Sequence, residues 1–256
     1  MNHEPGNLLY LQPKLDRKIG ASKESTTFKM CKQMFDLYLQ RVPSSILEMK
    51  SGTGKELNAL SSICPDCVGI DARPSMIRYA QSRYTRLNFI LCDMLSCRLG
   101  LSFEAILSLR RAISYLLTDE EVEQTLQTFV AHSRRGTLLI LELLNAASNI
   151  SDNYLTQDRE GVILAHKKYG YVNITNSLYR QQNFLEQERI WKIPGQEPII
   201  YSRKYRLFFP AEVERLLEAK GFEVVGMFDN LSLGVSHLDG HVLYVAAIFH
   251  GKPSVT

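Results

Sequence analysis

No stretch of this sequence carries a tract of like charge: its 30 Lys and Arg and 27 Asp and Glu are scattered, for a formal net charge of +3. Without a basic stripe there is no electrostatic footprint for a phosphate backbone, so no nucleic acid is expected as a partner and a small-molecule substrate is. No apolar run reaches the roughly 20 residues that cross a bilayer, and no basic segment leads into a hydrophobic signal core. The expectation is a cytoplasmic protein with no membrane partner. Cysteine is scarce and odd in number, at five. Cys64-Pro65-Asp66-Cys67 has the spacing of a redox or zinc pair, but no second pair or His pair stands at finger spacing, and Cys67 opens a strand rather than a helix. Cys67, Cys92 and Cys97 lie in or beside apolar runs, where buried thiols account for them. His237-Leu238-Asp239-Gly240-His241 offers metal donors, yet Asp-Gly is better read as the turn before a last strand. No metal is expected.

What is present is a chain of 256 residues, 45% hydrophobic, enough for one compact domain with an insertion. Phe28, Cys31, Met34, Phe35, Tyr38 and Leu39 recur at helical spacing over 23–41, and Pro43 stops that helix. Then strands and helices alternate: strand 45–49, helix 53–61, strand 67–71, helix 74–83, strands 88–92 and 104–109, helix 119–132, strand 137–143. Such alternation implies a parallel sheet covered on both faces. Residues 151–206 break the rhythm with short β-like runs at Val162–Ala165, 171–179, 184–193 and 199–207. Phe209-Pro210-Ala211-Glu212 then starts a helix that Gly221 ends, and strands 222–228 and 241–249 read as a hairpin. The division expected is an N-terminal segment 1–22, a core 23–150, an antiparallel insertion 151–207 on the acceptor side or at a dimer contact, and a closing helix and hairpin 208–250. A homodimer is compatible with that arrangement.

The run Ile46-Leu47-Glu48-Met49-Lys50-Ser51-Gly52-Thr53-Gly54 reads as a buried strand entering a glycine turn. An acid, Asp71, closes the next strand, Cys67-Val68-Gly69-Ile70. Glycines let backbone approach a ligand closely, and an acid at the following strand tip can accept two hydrogen bonds from a ribose diol. Together with Pro74-Ser75-Met76, Leu91-Cys92-Asp93-Met94, Phe103 to Leu116 and Arg135 to Glu142, these motifs resemble a class I S-adenosylmethionine-dependent methyltransferase. Within that family the chain is most similar to bacterial amino-sugar N,N-dimethyltransferases of antibiotic biosynthesis, over roughly residues 35–250 in order of elements. The resemblance implies an α/β fold with a Rossmann-like, seven-stranded, mostly parallel sheet, helices on both faces, a C-terminal antiparallel hairpin and an inserted antiparallel β subdomain. It also implies the cofactor S-adenosylmethionine and methylation of a nitrogen or oxygen of a small metabolite.

By the same resemblance Glu48 holds the turn or the methionine ammonium, the Gly52 to Gly54 backbone cradles the cofactor, and Asp71 takes the ribose hydroxyls. Asp93 accepts from the adenine amino group, with Met76 and Met94 packing nearby. Tyr115 stands where the sugar enzymes carry an acceptor-side His or Tyr, and is the candidate catalytic residue. Tyr201 of the insertion is a candidate for the acceptor pocket. The pattern departs from the family at two points. Lys50 replaces the first glycine of the turn, and an ammonium about 5 Å from the sulfonium would repel it by roughly 3 kcal/mol at an effective dielectric near 20, while the cofactor carboxylate could return as much. Arg110 and Arg111 end the fourth strand where small hydroxyl residues are common, and two guanidiniums there favour an anionic acceptor group. Lys50 is therefore read with the cofactor, and Arg110 and Arg111 with the substrate. The rival readings are a non-methylating reaction on the same fold, such as a cyclisation or elimination, or a degenerate non-catalytic partner.

Overall fold

The runs Ile46–Met49 and Cys67–Ile70 lack polar alternation, the mark of strands covered on both faces. Both are buried in the computed structural model, which describes residues 13–14, 26–151 and 171–251. They form β1 (Ser45–Met49) and β2 (Asp66–Asp71), which join β3 (Asn88–Leu91), β4 (Phe103–Ser108), β5 (Ser133–Leu144), β9 (Phe222–Phe228) and β10 (Val242–Phe249). The seven lie in the order β3-β2-β1-β4-β5-β10-β9. β1 to β5 are mutually parallel, and β10 enters antiparallel between β5 and β9. Strand order runs outward in both directions from β1, which opens a crevice beyond the carboxyl ends of β1 and β4. Those ends are level, since Met49 pairs with Ile70 on one side and Ser108 on the other.

Successive residues of the central strands feed opposite faces. Ile46, Leu107 and Ile140 meet Met30, Cys31, Met34 and Phe35 of α1 (Thr26–Tyr38), with Leu57 of α2 (Lys55–Leu60) and Ile77 of α3 (Pro74–Arg83). Leu47, Ile106 and Leu139 meet Phe129 of α4 (Asp119–Ala131) and Leu217 of α6 (Pro210–Glu218). The short α5 (Ala146–Ser151) follows β5. β5 starts at Ser133, ahead of the Thr137 start that its hydrophobic run predicts, because the half-buried Ser133 already pairs with Phe103 before the register shifts.

The insertion contributes a separate antiparallel sheet, β6 (Tyr171–Tyr179), β7 (Phe184–Lys192) and β8 (Ile199–Arg206), in that order. Its Leu185, Tyr205 and Leu207 pack with Leu144 and Ala146 and against Tyr115, which brings β8 beside the crevice. The strand expected at Val162–Ala165 lies outside the described residues.

One cysteine expectation is corrected. Cys31, Cys64 and Cys67 are free and buried, but Cys92 and Cys97 are joined in a disulfide. The cause is the turn after β3. The Asp93 carboxylate accepts from Leu95 N at 3.0 Å and its carbonyl from Cys97 N at 2.7 Å. That folding brings the two Cα atoms to 5.6 Å, within disulfide reach.

Glu104 on β4 ties three segments together. It accepts from Arg41 Nη1 at 2.6 Å, Ser44 N at 2.7 Å and Arg134 Nη2 at 3.0 Å. The Arg41 guanidinium foremost holds its carboxyl down at about 2, against an ordinary 4.5. A depressed acid stabilises the fold above its unfolded pKa and ceases to as pH falls through the folded value. Glu104→Gln should therefore cost about 1 kcal/mol at pH 7, the arginines being largely exposed, and nothing near pH 2. Urea denaturation at the two pH values checks this; an equal loss at both would mean that packing, not charge, holds the junction.

Candidate functional site

β1 enters its turn through Lys50 in the left-handed conformation, φ 56, which a glycine adopts freely and a lysine at a cost of about 1–2 kcal/mol. Gly52 (φ 56) and Gly54 (φ 76) continue it. Three turn amides bond within the protein: Ser51 N to Ile70 O at 2.8 Å, Gly52 N to Asp71 Oδ2 at 3.0 Å, and Gly54 N to Ser51 O at 3.0 Å. Asp71, only 1% exposed, also accepts from Arg73 N at 2.8 Å, so its carboxylate braces the turn and the start of α3. Each oxygen keeps a second lone pair.

Beneath the turn Glu48 is 2% exposed. Burial pushes its carboxyl well above the usual range; Glu56 adds to that, while Arg110 and the Leu57 N–H oppose it. Its Oε2 has no hydrogen-bond partner among the described residues. Asp93 stands at the tip of β3 in the turn already described, Met94 packs into the core with Met49 and Ile70, and Met76 on α3 is buried. The three acids Glu48, Asp71 and Asp93 thus lie on or just beyond three adjacent strands.

Across the crevice β4 leaves through two consecutive left-handed residues, Arg110 (φ 53) and Arg111 (φ 58). They swing the chain into a 3-10 turn, Ala112–Tyr115. Arg110 N donates to Glu142 Oε2 at 2.9 Å. Burial raises the Glu142 carboxyl, and Arg111 opposes the rise. The Arg110 side chain, which the sequence groups with the substrate, reaches toward the glycine turn. Its Nη1 lies 3.8 Å from the point a Cβ on Gly52 would occupy, over the glycine turn.

Tyr115 is the hub of an aromatic and cationic cluster across the crevice. The Lys50 Nζ lies 2.8 Å from its ring centroid, Tyr205 meets the ring edge-on at 5.1 Å, and Arg203 Nη1 donates to its hydroxyl. Arg203 is 6% exposed and also donates to Tyr201 Oη at 2.8 Å and Tyr205 Oη at 3.3 Å. The sequence reading missed Arg203. Its signal was there: Tyr201, Arg203 and Tyr205 alternate along β8, so an inward Tyr pair carries the arginine inward with it. Tyr201 is buried in that cluster, and Arg111 is exposed beside it.

His132, fully buried at the end of α4, places Nδ1 2.8 Å from Thr128 O and accepts from Leu99 N through Nε2 at 3.0 Å. Both nitrogens are thus engaged in holding the helix end. Asp239 and Gly240 donate their amides to Asp229, as a turn requires. Among the described residues no cluster of His, Cys, Asp or Glu is arranged to hold a metal, and no helix is long and apolar enough to cross a membrane.

The residues present fit an adenosyl cofactor with a methionyl arm: a glycine turn open on the side facing Arg110, acids at successive strand tips, and a buried carboxyl oxygen without a partner. Comparison with known proteins points the same way. Residues 46–136 match the family model described as a methyltransferase domain. The chain is 26% identical over 196 residues, 74% of its length and 80% of the relative's, to the dTDP-3-amino-3,4,6-trideoxy-alpha-D-glucopyranose N,N-dimethyltransferase of Streptomyces venezuelae. Its fold matches an S-adenosylmethionine-dependent methyltransferase from Clostridium acetobutylicum (TM-score 0.76, 11% identity, 94% of this chain and 97% of that one). It also matches the sugar N-methyltransferase KedS8 from a Streptoalloteichus species (TM-score 0.72, 16% identity, 96% and 94%). The domain match falls on the β1 turn, Asp71 and Asp93, so residues 46–136, which carry all three acids of the strand tips, are similar to a methyltransferase domain.

Proposed function

We infer that the acceptor is a small metabolite bearing an amino group, an amino sugar of secondary metabolism, and that Tyr115 orients its nitrogen for methylation. The observation that carries this reading is the contact across the crevice: Lys50 leaves the glycine turn and reaches the Tyr115 ring at 2.8 Å, so the phenol adjoins the cofactor turn directly. The cofactor supplies, when bound, a methyl carbon already activated by its sulfonium, which leaves alignment and exclusion of water to the protein. Glu48 and Asp71 hold the turn rigid, and Asp71 retains lone pairs for ribose hydroxyls. Asp93 serves the adenine edge. Tyr201, Tyr205 and Arg203 close the acceptor side around Tyr115. The relative from Streptomyces venezuelae is named for an amino sugar carried on dTDP, which supports a nitrogen over an oxygen.

The test is methyl transfer to a dTDP-linked amino sugar followed by mass spectrometry, alongside thermal unfolding with S-adenosylhomocysteine. Saturating product should raise the melting temperature, by the equivalent of about 2.7 kcal/mol at a hundredfold excess over Kd. Asp71→Ala should weaken product binding by about 1–3 kcal/mol, the worth of hydrogen bonds to a charged acceptor, and should loosen the turn through the lost Gly52 contact. Equal affinities in titration calorimetry would remove Asp71 from the site. Thermal protection without methylation of any amine would favour another reaction on this fold.

A further inference from the structure

Helix and loop amides commonly receive the anionic parts of a ligand at a glycine turn. Here that supply is depleted. Ser51, Gly52 and Gly54 donate their amides inside the protein, and α2 behind them has only six residues. A cation takes the vacated role. The two left-handed residues that end β4 aim Arg110 back across the crevice until its Nη1 stands 3.8 Å from the Cβ position of Gly52, and Arg110 is also the cation that opposes the charge burial of Glu48 beneath the turn. A guanidinium offers a planar fork of donors matched to a carboxylate, and a backbone held at φ 53 restricts where that fork can reach. Lys50, the other cation of the turn, is directed to the Tyr115 ring instead.

We propose that Arg110 is the clamp for the carboxylate of the cofactor's amino-acid arm, and so a cofactor-binding residue rather than part of the acceptor pocket. Resting on the cofactor assignment above, this names which ligand group the guanidinium over Gly52 receives. It also assigns Arg110 a role that the replacement of the first turn glycine by Lys50 leaves open.

Binding calorimetry with two probes tests it: S-adenosylhomocysteine, which has the amino-acid arm, and 5′-methylthioadenosine, which lacks it. The variants are Arg110→Asn, since Asn tolerates a left-handed backbone, and Arg110→Lys, which keeps the charge without the fork. Arg110→Asn should weaken S-adenosylhomocysteine roughly ten- to a hundredfold while changing methylthioadenosine by less than about twofold, and Arg110→Lys should fall between. Retained binding of methylthioadenosine also reports that the variant is folded. Parallel losses for both probes, or no loss for either, would overturn the clamp while leaving the cofactor site standing. Failure of the unmodified protein to bind either probe would overturn the cofactor assignment itself. Unchanged cofactor affinity with a raised KM for the amine would return Arg110 to the acceptor side.

Discussion

Gly54→Ala should destabilise the protein by about 2–5 kcal/mol, the sum of a left-handed alanine and an overpacked core. At φ 76 the backbone already disfavours any side chain. The added Cβ would also stand 2.5 Å from Phe89 Cζ, 2.7 Å from Phe89 Cε1 and 3.3 Å from Ala80 Cβ. The ring has nowhere to retreat. Phe89 is 3% exposed, and on its other side it meets Gly69, where an added Cβ would lie 2.8 Å from Phe89 Cδ1. The two glycines are thus the slots into which one aromatic ring locks the turn, α3 and β2. Gly52→Ala provides the contrast, because at φ 56 its nearest neighbour is the mobile end of Arg110 at 3.8 Å, and only the conformational cost of about 1–2 kcal/mol applies. Urea denaturation of both variants decides the matter, and Phe89→Leu combined with Gly54→Ala should recover part of the packing loss. Equal costs at positions 52 and 54 would mean that the ring adapts and the close packing has no energetic weight.

Elements whose burial pattern is local were legible in the sequence. α3 at 74–83, β6 at 171–179 and β9 at 222–228 have the bounds that periodicity predicts, because Pro74 at a helix start and alternation in a half-covered strand are signals carried within a few residues. Features that depend on a side chain bending the backbone were not. The Cys92–Cys97 bond follows from an Asp93 turn that brings together two cysteines which composition reads as thiols. Arg110 reaches the glycine turn only because two arginines in succession adopt a conformation that no propensity assigns to arginine. The cost of a lysine in place of glycine was legible at Lys50. The direction of its ammonium was not, since that is set by Tyr115, whose position comes from the 3-10 turn and from β8.

Tyr115→Phe should lower kcat by about a hundredfold or more while leaving the affinity for S-adenosylhomocysteine unchanged. The variant keeps the ring, and with it the Lys50 contact at 2.8 Å and the edge-on packing against Tyr205 at 5.1 Å, so the shape of the crevice survives. What it removes is an oxygen to which Arg203 donates, on a ring whose face carries Lys50 as a second cation. Two cations beside that oxygen favour its deprotonated form, the form that can take a proton from an approaching ammonium and is neutralised in doing so. An amine that holds its proton has no lone pair to offer, so the loss should appear in turnover and not in cofactor binding. Removing one acceptor from the buried Arg203, which keeps Tyr201 at 2.8 Å, should cost the fold only about 1 kcal/mol. The decisive comparison is with Tyr115→Ala, which empties the ring position as well. If Tyr115→Phe turns over at the unmodified rate and only Tyr115→Ala fails, the tyrosine packs the crevice and the proton leaves by another route. If both fail alike with cofactor affinity intact, the hydroxyl is the group that matters and Arg203 is the residue that holds it in place.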